Sequence, residues 1–339
     1  MSAVKTHDLT YEAGRENVWG FIGTGADPFV GKGGGKLFFV DAAHTNAFDT
    51  NDGTDPREPF ATLQALIDRT AALAAGTAYR QPALEEHDTV YILSDVAESV
   101  VTGDTTDMPA HVSIVGAASD EWSPAWATDA VGNPCLTIRA LGWTVQGIKF
   151  LPGTGSSGIK LDWVPASDYN ASRATIRGCE FDGAWSGLYG VEFSGAPYDV
   201  RIDRCEFREL RQGGNAFGII TTDSSEANAY MCKITNNLFW ENNNHVGTAA
   251  GDRGFNLSLF QNNTFHDGVL IAATLMLDLR GGTQGENIVV GNTFCGDYSN
   301  TGGYYANAAN PGNWVGNFAE DVAEAEVADN GLTVAVPAA

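Results

Sequence analysis

The sequence predicts an all-β chain wound as a single-stranded right-handed parallel β-helix, a solenoid, with an N-terminal capping helix. Three observations predict it. First, a short phrase recurs six times within 136–294, an apolar residue, four others and then phenylalanine: Val145/Phe150, Ile176/Phe181, Ile202/Phe207, Ile234/Phe239, Phe260/Phe265 and Val289/Phe294. The phenylalanines stand 31, 26, 32, 26 and 29 residues apart, so each copy is one structural unit whose insertions are carried by loops. Second, two positions before each phenylalanine stand Ile148, Cys179, Cys205, Asn237, Asn263 and Asn292, a column of mostly small or amide side chains that stacks if the copies lie on one another. Third, a second strand-like phrase follows several phenylalanines, GIKL at 158–161, YGVEF at 189–193, FGIIT at 217–221 and LMLDL at 275–279, which gives most units at least two strands.

The asparagine column has two physical reasons. A sharp bend between strands suits a residue that tolerates the left-handed region, as asparagine does. Stacked amides also hydrogen-bond to the turns above and below. A leucine-rich repeat would need a leucine framework, and a propeller would need about 40 residues and four strands per blade; neither fits.

Along the chain, residues 1–36 read as a Gly-rich arm or linker ending in GKGGGK, the solenoid as 37–318, and 319–339 as a tail with a terminal strand. The first strand is Leu37–Val40. A loop dense in Asp, Asn, Gly and Pro fills 41–59, and 59–73 is a helix, begun by Thr62 or the preceding turn, with Leu63, Leu66, Ile67 and Leu73 near one face. DTVYIL at 88–93 and HVSIVG at 111–116 are strands of the first coils, and 117–134 is a lateral insertion holding Trp122 and Trp126. At 313–318, NWVGNF keeps an Asn317–Phe318 corner but not the spacing.

Composition narrows the function. Solenoids grow by adding units, so 339 residues form one elongated domain. A net charge of −23 repels nucleic acid and anionic membranes, and makes contact with an anionic polysaccharide costly unless a basic groove or Ca²⁺ intervenes. No stretch approaches the roughly 18 apolar residues that cross a membrane, and the N-terminus shows no signal-peptide pattern. Cys135, Cys179, Cys205, Cys232 and Cys295 lack metal-ligand spacing and read as buried thiols. Cys179 and Cys205 share one column about 4.8 Å apart, where inward packing is preferred to a disulfide.

Two constellations are candidates for chemistry. Glu209, Glu241 and Asp267 each stand two residues after a phenylalanine and would line up in one column, neighbours about 4.8 Å and the outer pair about 9.6 Å apart, near the separations used by retaining and inverting glycosidases. Arg208 and His266 flank them. The alternative is a solvated acidic edge or subunit contact, which is preferred. Asp49, Asn51, Asp52 and Asp55 in DTNDGTD have the spacing of half a calcium loop, but Phe60 takes the place of the bidentate glutamate, so Asx turns at the helix start are preferred to Ca²⁺. His7, His44, His87 and His111 show no paired ligand spacing. Trp122, Trp126, Trp143, Trp163 and Trp185 suit sugar stacking, subunit contacts or core packing alike.

The run FFVDAAHTNAFDTNDGTDPREPFATLQALID resembles the start of pectate-lyase-like right-handed β-helix proteins, in which an acidic loop leads into a helix that plugs the open end. With the Gly-rich arm, the irregular coils and the DNGLTVAVPAA tail, the organisation also resembles β-helix proteins carried by tailed phages as head decorations, spikes or fibres. That resemblance implies a virion structural protein, made in the host cytoplasm, placed on the virion surface and assembled as a homotrimer against capsid or other virion proteins. The polygalacturonase pattern is not met, since the chain has neither an Asp-Asp pair nor Arg-x-Lys. A polysaccharide lyase or glycoside hydrolase, and a non-catalytic glycan-binding adhesin, are the alternatives.

Overall fold

The computed structural model describes residues 35–76, 81–102, 108–117, 123–164, 169–222, 228–249, 252–266, 275–279, 287–295, 305–306 and 313–319. Most of the expected arm and tail, with Trp122 and Asp267, lie outside them. Within them the chain winds through three parallel sheets, one strand of each per turn. A representative turn runs Arg201–Asp203, Glu206–Arg208 and Phe217–Thr222 in the first, second and third sheets. The first sheet has ten strands, from Leu37–Val40 to Asn313–Val315, and the second nine, from Val96–Ala97 to Phe318–Ala319. The third runs from Val100–Thr102 to Tyr305–Ala306, with Tyr169–Asn170 added antiparallel on Ser157–Val164. The phrases at 158–161, 189–193, 217–221 and 275–279 all fall in the third sheet, and each full turn has three strands where the sequence implied at least two.

Why these residues form short strands follows from the interior. In the second sheet the recurring phenylalanines are paired directly, Phe181 with Phe207 and Phe207 with Phe239. Their rings form a column, Trp126, Phe150, Phe181, Phe207, Phe239, Phe265 and Phe294, with successive centroids 4.7–5.6 Å apart and planes within 27°. Each ring thereby removes both faces of its neighbours from water. The first ring corrects one reading: 117–134 is not only an insertion, because Ala125–Ala127 is a strand of the second sheet that places Trp126 beneath Phe150. Trp126 Nε1–H donates to Glu98 O at 2.9 Å, which pays its polar cost in the core.

Room for the rings comes from the third sheet. A Cβ on Gly190 would lie 2.5 Å from Phe207 Cδ1 and 2.6 Å from Gly218 O, so the position admits no side chain. One turn beyond Gly218 the same column holds His245, fully buried, with its ring 5.8 Å from that of Phe239 and 6.0 Å from that of Phe265. Its Nδ1 meets Asn242 Nδ2 at 3.2 Å. Burial, aided by nearby His266, pushes His245 down to about 3, which keeps the imidazole neutral in the folded protein.

At the corner between first and second sheets the amides form the expected ladder. Asn263 Oδ1 accepts from the Asn237 backbone N–H and from Asn237 Nδ2, both at 3.0 Å. Asn292 Oδ1 accepts from the Asn263 N–H and Nδ2 at 2.9 and 3.0 Å, and Asn317 Oδ1 accepts from the Asn292 N–H and Nδ2 at 2.9 Å each. The second Nδ2 hydrogen of Asn237, Asn263 and Asn292 reaches a backbone carbonyl, that of Ile202, Ile234 and Phe260. The backbone turns at a different residue from the one expected, not at the ladder amides themselves. The left-handed residue is the one before this column, Gly147, Gly178, Arg204, Asn236, Asn262, Gly291 and Gly316, with φ of 54–65°, whereas Asn237, Asn263 and Asn292 do not have positive φ. The bend is made one residue early so that the amide can point inward.

The helix α1, Leu63–Ala74, lies against the first turn; it begins later than the expected 59–73, because Phe60 bridges Val40 and Thr62 caps the helix. Leu63, Leu66 and Ile67 join Phe38, Val40 and Phe60 in the core, but Leu73 is 44% exposed and lies off that face. The Thr62 hydroxyl accepts from the Ala65 N–H at 3.3 Å. The Glu98 carboxylate accepts from the Leu63 and Gln64 N–H groups at 3.0 and 3.1 Å, although burial raises its affinity for a proton. Gln64 Oε1 in turn accepts from the N–H of Val101, on the terminal strand of the third sheet, at 3.4 Å. The plug therefore both buries apolar surface and covers an open edge.

Two outcomes follow. Asn263→Ala leaves the Asn237 donors without their buried acceptor and should cost about 3 kcal/mol in chemical denaturation, whereas Asn262→Gly, at the left-handed position, should be neutral or stabilise by up to ~1 kcal/mol. For His245 the unfolded chain binds the extra proton below its ordinary value of 6.5 and the folded chain does not down to about 3. Stability should therefore fall with pH across that window, at a limiting slope of about 1.4 kcal/mol per pH unit. His245→Met should flatten the dependence, read as melting temperature against pH.

Candidate functional site on the second sheet

Strand alternation turns the residues flanking each phenylalanine outward, and in the second sheet these carry a concentration of ionisable groups. Successive turns present Lys149 and Leu151, Glu180 and Asp182, Glu206 and Arg208, Leu238 and Trp240, then Thr264 and His266. Lys149 Nζ bridges Glu180 Oε1 at 3.2 Å and Asp182 Oδ2 at 3.0 Å. Arg208 Nη2 reaches the same two atoms from the opposite side, at 2.5 and 2.8 Å. Three turns are thus tied by one network. Burial, then the Glu180 carboxylate, raises the pKa of Glu206. Asp182 is held below its ordinary value: burial opposes this, but Lys149, the Ala184 N–H and Arg208 outweigh it. Two carboxyl groups on one face are therefore pushed in opposite directions, the arrangement that separates a proton donor from an anion. Beside them Trp240 and Leu238 are exposed, at 36% and 38%.

The column of Glu209 and Glu241 lies at the next corner, between second and third sheets. The Glu209 N–H donates to Trp240 O at 3.2 Å and the Glu241 N–H to His266 O at 3.3 Å, and both residues are left-handed, with φ of 54° and 53°. Glu209 is half-buried, Glu241 is buried, and Asp267 lies outside the described residues. Glu241 Oε2 stands 3.2 Å from Arg211 Nη2, and Arg211 Nε donates to Glu241 O at 2.6 Å. The Arg211 guanidinium lies 3.9 Å from the centroid of Trp185, which is 46% exposed. Arg208, which flanks this column in the sequence, serves Glu180 and Asp182. Sequence reasoning missed that second-sheet network because its members are spread over 149–208 and meet only through the register of the turns.

The acidic loop binds its own backbone. Asp49 Oδ1 accepts from the Thr62 N–H and hydroxyl at 2.9 and 3.0 Å, Asn51 Nδ2 donates to Asn46 O and Pro59 O, and Asp55 pairs with Arg57 at 2.6 Å. Asp52 is exposed. Among the described residues no group of three His, Cys, Asp or Glu side chains is placed to hold a metal ion. His87 and His111, far apart in sequence, stack on adjacent turns with centroids 5.5 Å apart. Of the tryptophans, Trp126 and Trp143 are core residues. Cys135, Cys179, Cys205 and Cys232 are buried free thiols, whereas Cys295, expected to be buried with them, is half-buried; burial pushes Cys135 and Cys232 up to about 12. No described helix is long and apolar enough to cross a membrane.

A family model described as a right handed beta helix region matches residues 156–314. The match covers just under half of the chain and agrees with the fold that the three parallel sheets build, a right-handed parallel β-helix. No curated protein matches the sequence. Among solved structures, similarity extends to a mutant tailspike protein of E. coli bacteriophage HK620 in complex with pentasaccharide, at 13% identity and a TM-score of 0.47, covering 83% of this chain and 67% of that one. A glycoside hydrolase follows at 15% identity and 0.37, covering 74% and 53%, and ORF18 of Geobacillus virus E2 at 12% and 0.42, covering 90% and 63%. The chain spans between about half and two thirds of the length of these structures.

Glu241→Ala should destabilise by about 3 kcal/mol, because it strands the buried Arg211 charge. Glu209→Gly, which relieves a left-handed side-chain-bearing position, should be neutral or stabilise by up to ~1 kcal/mol. Urea unfolding of the two variants checks both signs.

Proposed function

We propose that the protein is a structural component of a virus particle, a capsid decoration or spike, that works as a stiff homotrimeric rod on the virion surface. The observation that carries the reading is mechanical. From Trp126 to Phe294 each turn is stacked on the next through a ring in the core, and from Cys205 to Asn317 through an amide as well. Three of the candidate carboxylates are engaged in holding turns together, Glu180 and Asp182 with Lys149 and Arg208, and the buried Glu241 with Arg211. Bending or peeling one turn breaks contacts with both neighbours, so load is shared along the axis. The charge of −23 keeps such surfaces dispersed. Attachment to capsid or other virion proteins through the N-terminal arm follows the organisation of the sequence.

A second reading, contact with or cleavage of a surface glycan, is favoured by one observation: Glu206 and Asp182, shifted in opposite directions, lie near the exposed Trp240. The two readings separate experimentally. Mass spectrometry and immunogold labelling of purified particles should find the chain on their surface in stoichiometric amount, and its absence there would remove the structural reading. Incubation with acidic or neutral surface polysaccharides should release no reducing ends. Release that is abolished by Glu206→Gln, Glu209→Gln or Glu241→Gln would establish the enzymatic reading instead.

A further inference from the structure

The sign of the surface charge changes from face to face at one height of the solenoid. Arg173, Arg177, Arg201, Arg204 and Lys233, five of the 19 basic side chains, lie on the outer face of the first sheet or at its corners over three successive turns. The same strands and corners carry two carboxylates, Asp199 and Asp203, and these pairs are long: Arg177–Asp203 3.6 Å, Arg204–Asp203 3.7 Å and Arg201–Asp199 3.9 Å. This face is positive in a chain whose net charge is −23. On the second sheet at the same turns the balance reverses, with Glu180, Asp182, Glu206 and the corner Glu209 against Arg208 and, from the turn before, Lys149. The third sheet pairs its charges off, Arg139 with Asp162 at 2.8 Å and Lys160 with Glu192 at 3.8 Å.

The two charged faces also carry exposed apolar groups. Tyr198, Tyr230 and Met231 border the first at 38%, 38% and 51% exposure, and Leu238 and Trp240 lie on the second. They meet at the corner formed by Gly178, Arg204 and Asn236. A ring of identical subunits joins two different patches of one chain, and it closes only if each copy presents both in the right relation. For parallel rods around a common axis, that relation is two complementary patches at equal height, flanking the corner turned to the axis.

We propose that the corner at Gly178, Arg204 and Asn236 faces a rotational symmetry axis, with the basic first-sheet face of one copy docked on the acidic second-sheet face of the next. The partner is a second copy of this chain. This deepens the structural reading above and rests on it. It also places Glu206 and Trp240 inside a subunit contact, so their environment in the assembly is completed by the neighbour's cations.

Light scattering coupled to gel filtration tests the proposal on the full chain. A closed oligomer is expected at low salt, with association weakened about tenfold or more at high salt. The double variant Arg201→Glu/Lys233→Glu should be monomeric, as should Glu206→Lys/Glu209→Lys, with circular dichroism unchanged in both. Combining all four substitutions should restore the oligomer, because the reversed faces again complement each other. A monomer at every salt concentration overturns the proposal, as does an oligomer indifferent to salt and to both reversals. So does an unchanged mass in Arg201→Glu/Lys233→Glu together with lost binding of dextran sulfate, which would assign the basic face to an anionic polymer. Each of these leaves the virion location to the particle labelling described above.

Discussion

The constraint on which the rest of the structure depends is that successive turns lie in register, one residue directly above its counterpart. Register brings Phe181 over Phe207 and Asn237 over Asn263, and it lets Asn amides and phenyl rings form continuous columns. Since side chains alternate across a strand, the same register fixes the outward set, so Lys149, Glu180, Asp182 and Arg208 meet as a consequence of core packing. A slip of one residue would bury the ions and expose the rings. Surface chemistry in this protein is thus subordinate to the interior.

Much of this was legible in the sequence because a column is a repeated demand. Six phenylalanines at matching positions announce six similar environments, and Asn237, Asn263 and Asn292 announce a shared hydrogen-bonding duty. Helix α1 was legible from Thr62 and the spacing of Leu63, Leu66 and Ile67. Trp126 was missed because it takes a phenylalanine position without the preceding phrase, and the strand Asn244–Thr248 because its polar residues, NHVGT, do not read as a strand. The place of the bend was misjudged for a physical reason. Both Asn236 and Asn237 suit a corner, and sequence does not say which of two adjacent amides turns the backbone and which points inward.

The candidate site was less legible than the fold because it has no period. Glu209 and Glu241 were found from a column, whereas the network joining Lys149 to Arg208 depends on insertions of different length landing opposite charges on adjacent turns. Arg211 under Trp185 depends on a strained turn: Ala184 and Trp185 are both left-handed, at φ 42° and 70°, within a loop that does not recur. Charge and aromatic content were visible in the sequence, but their juxtaposition was not.

The amide ladder is directional. The side-chain oxygens of Asn263, Asn292 and Asn317 each accept from the amide of the turn before, so these oxygens all face the same way along the axis. An added turn fits only if it is inserted with the same polarity, with a glycine or asparagine ahead of an inward amide. Given that, nothing at either end has to change. Rod length is then an adjustable quantity, altered in steps of about 4.8 Å by duplicating or deleting one such segment, so evolution could tune its reach without redesigning its fold.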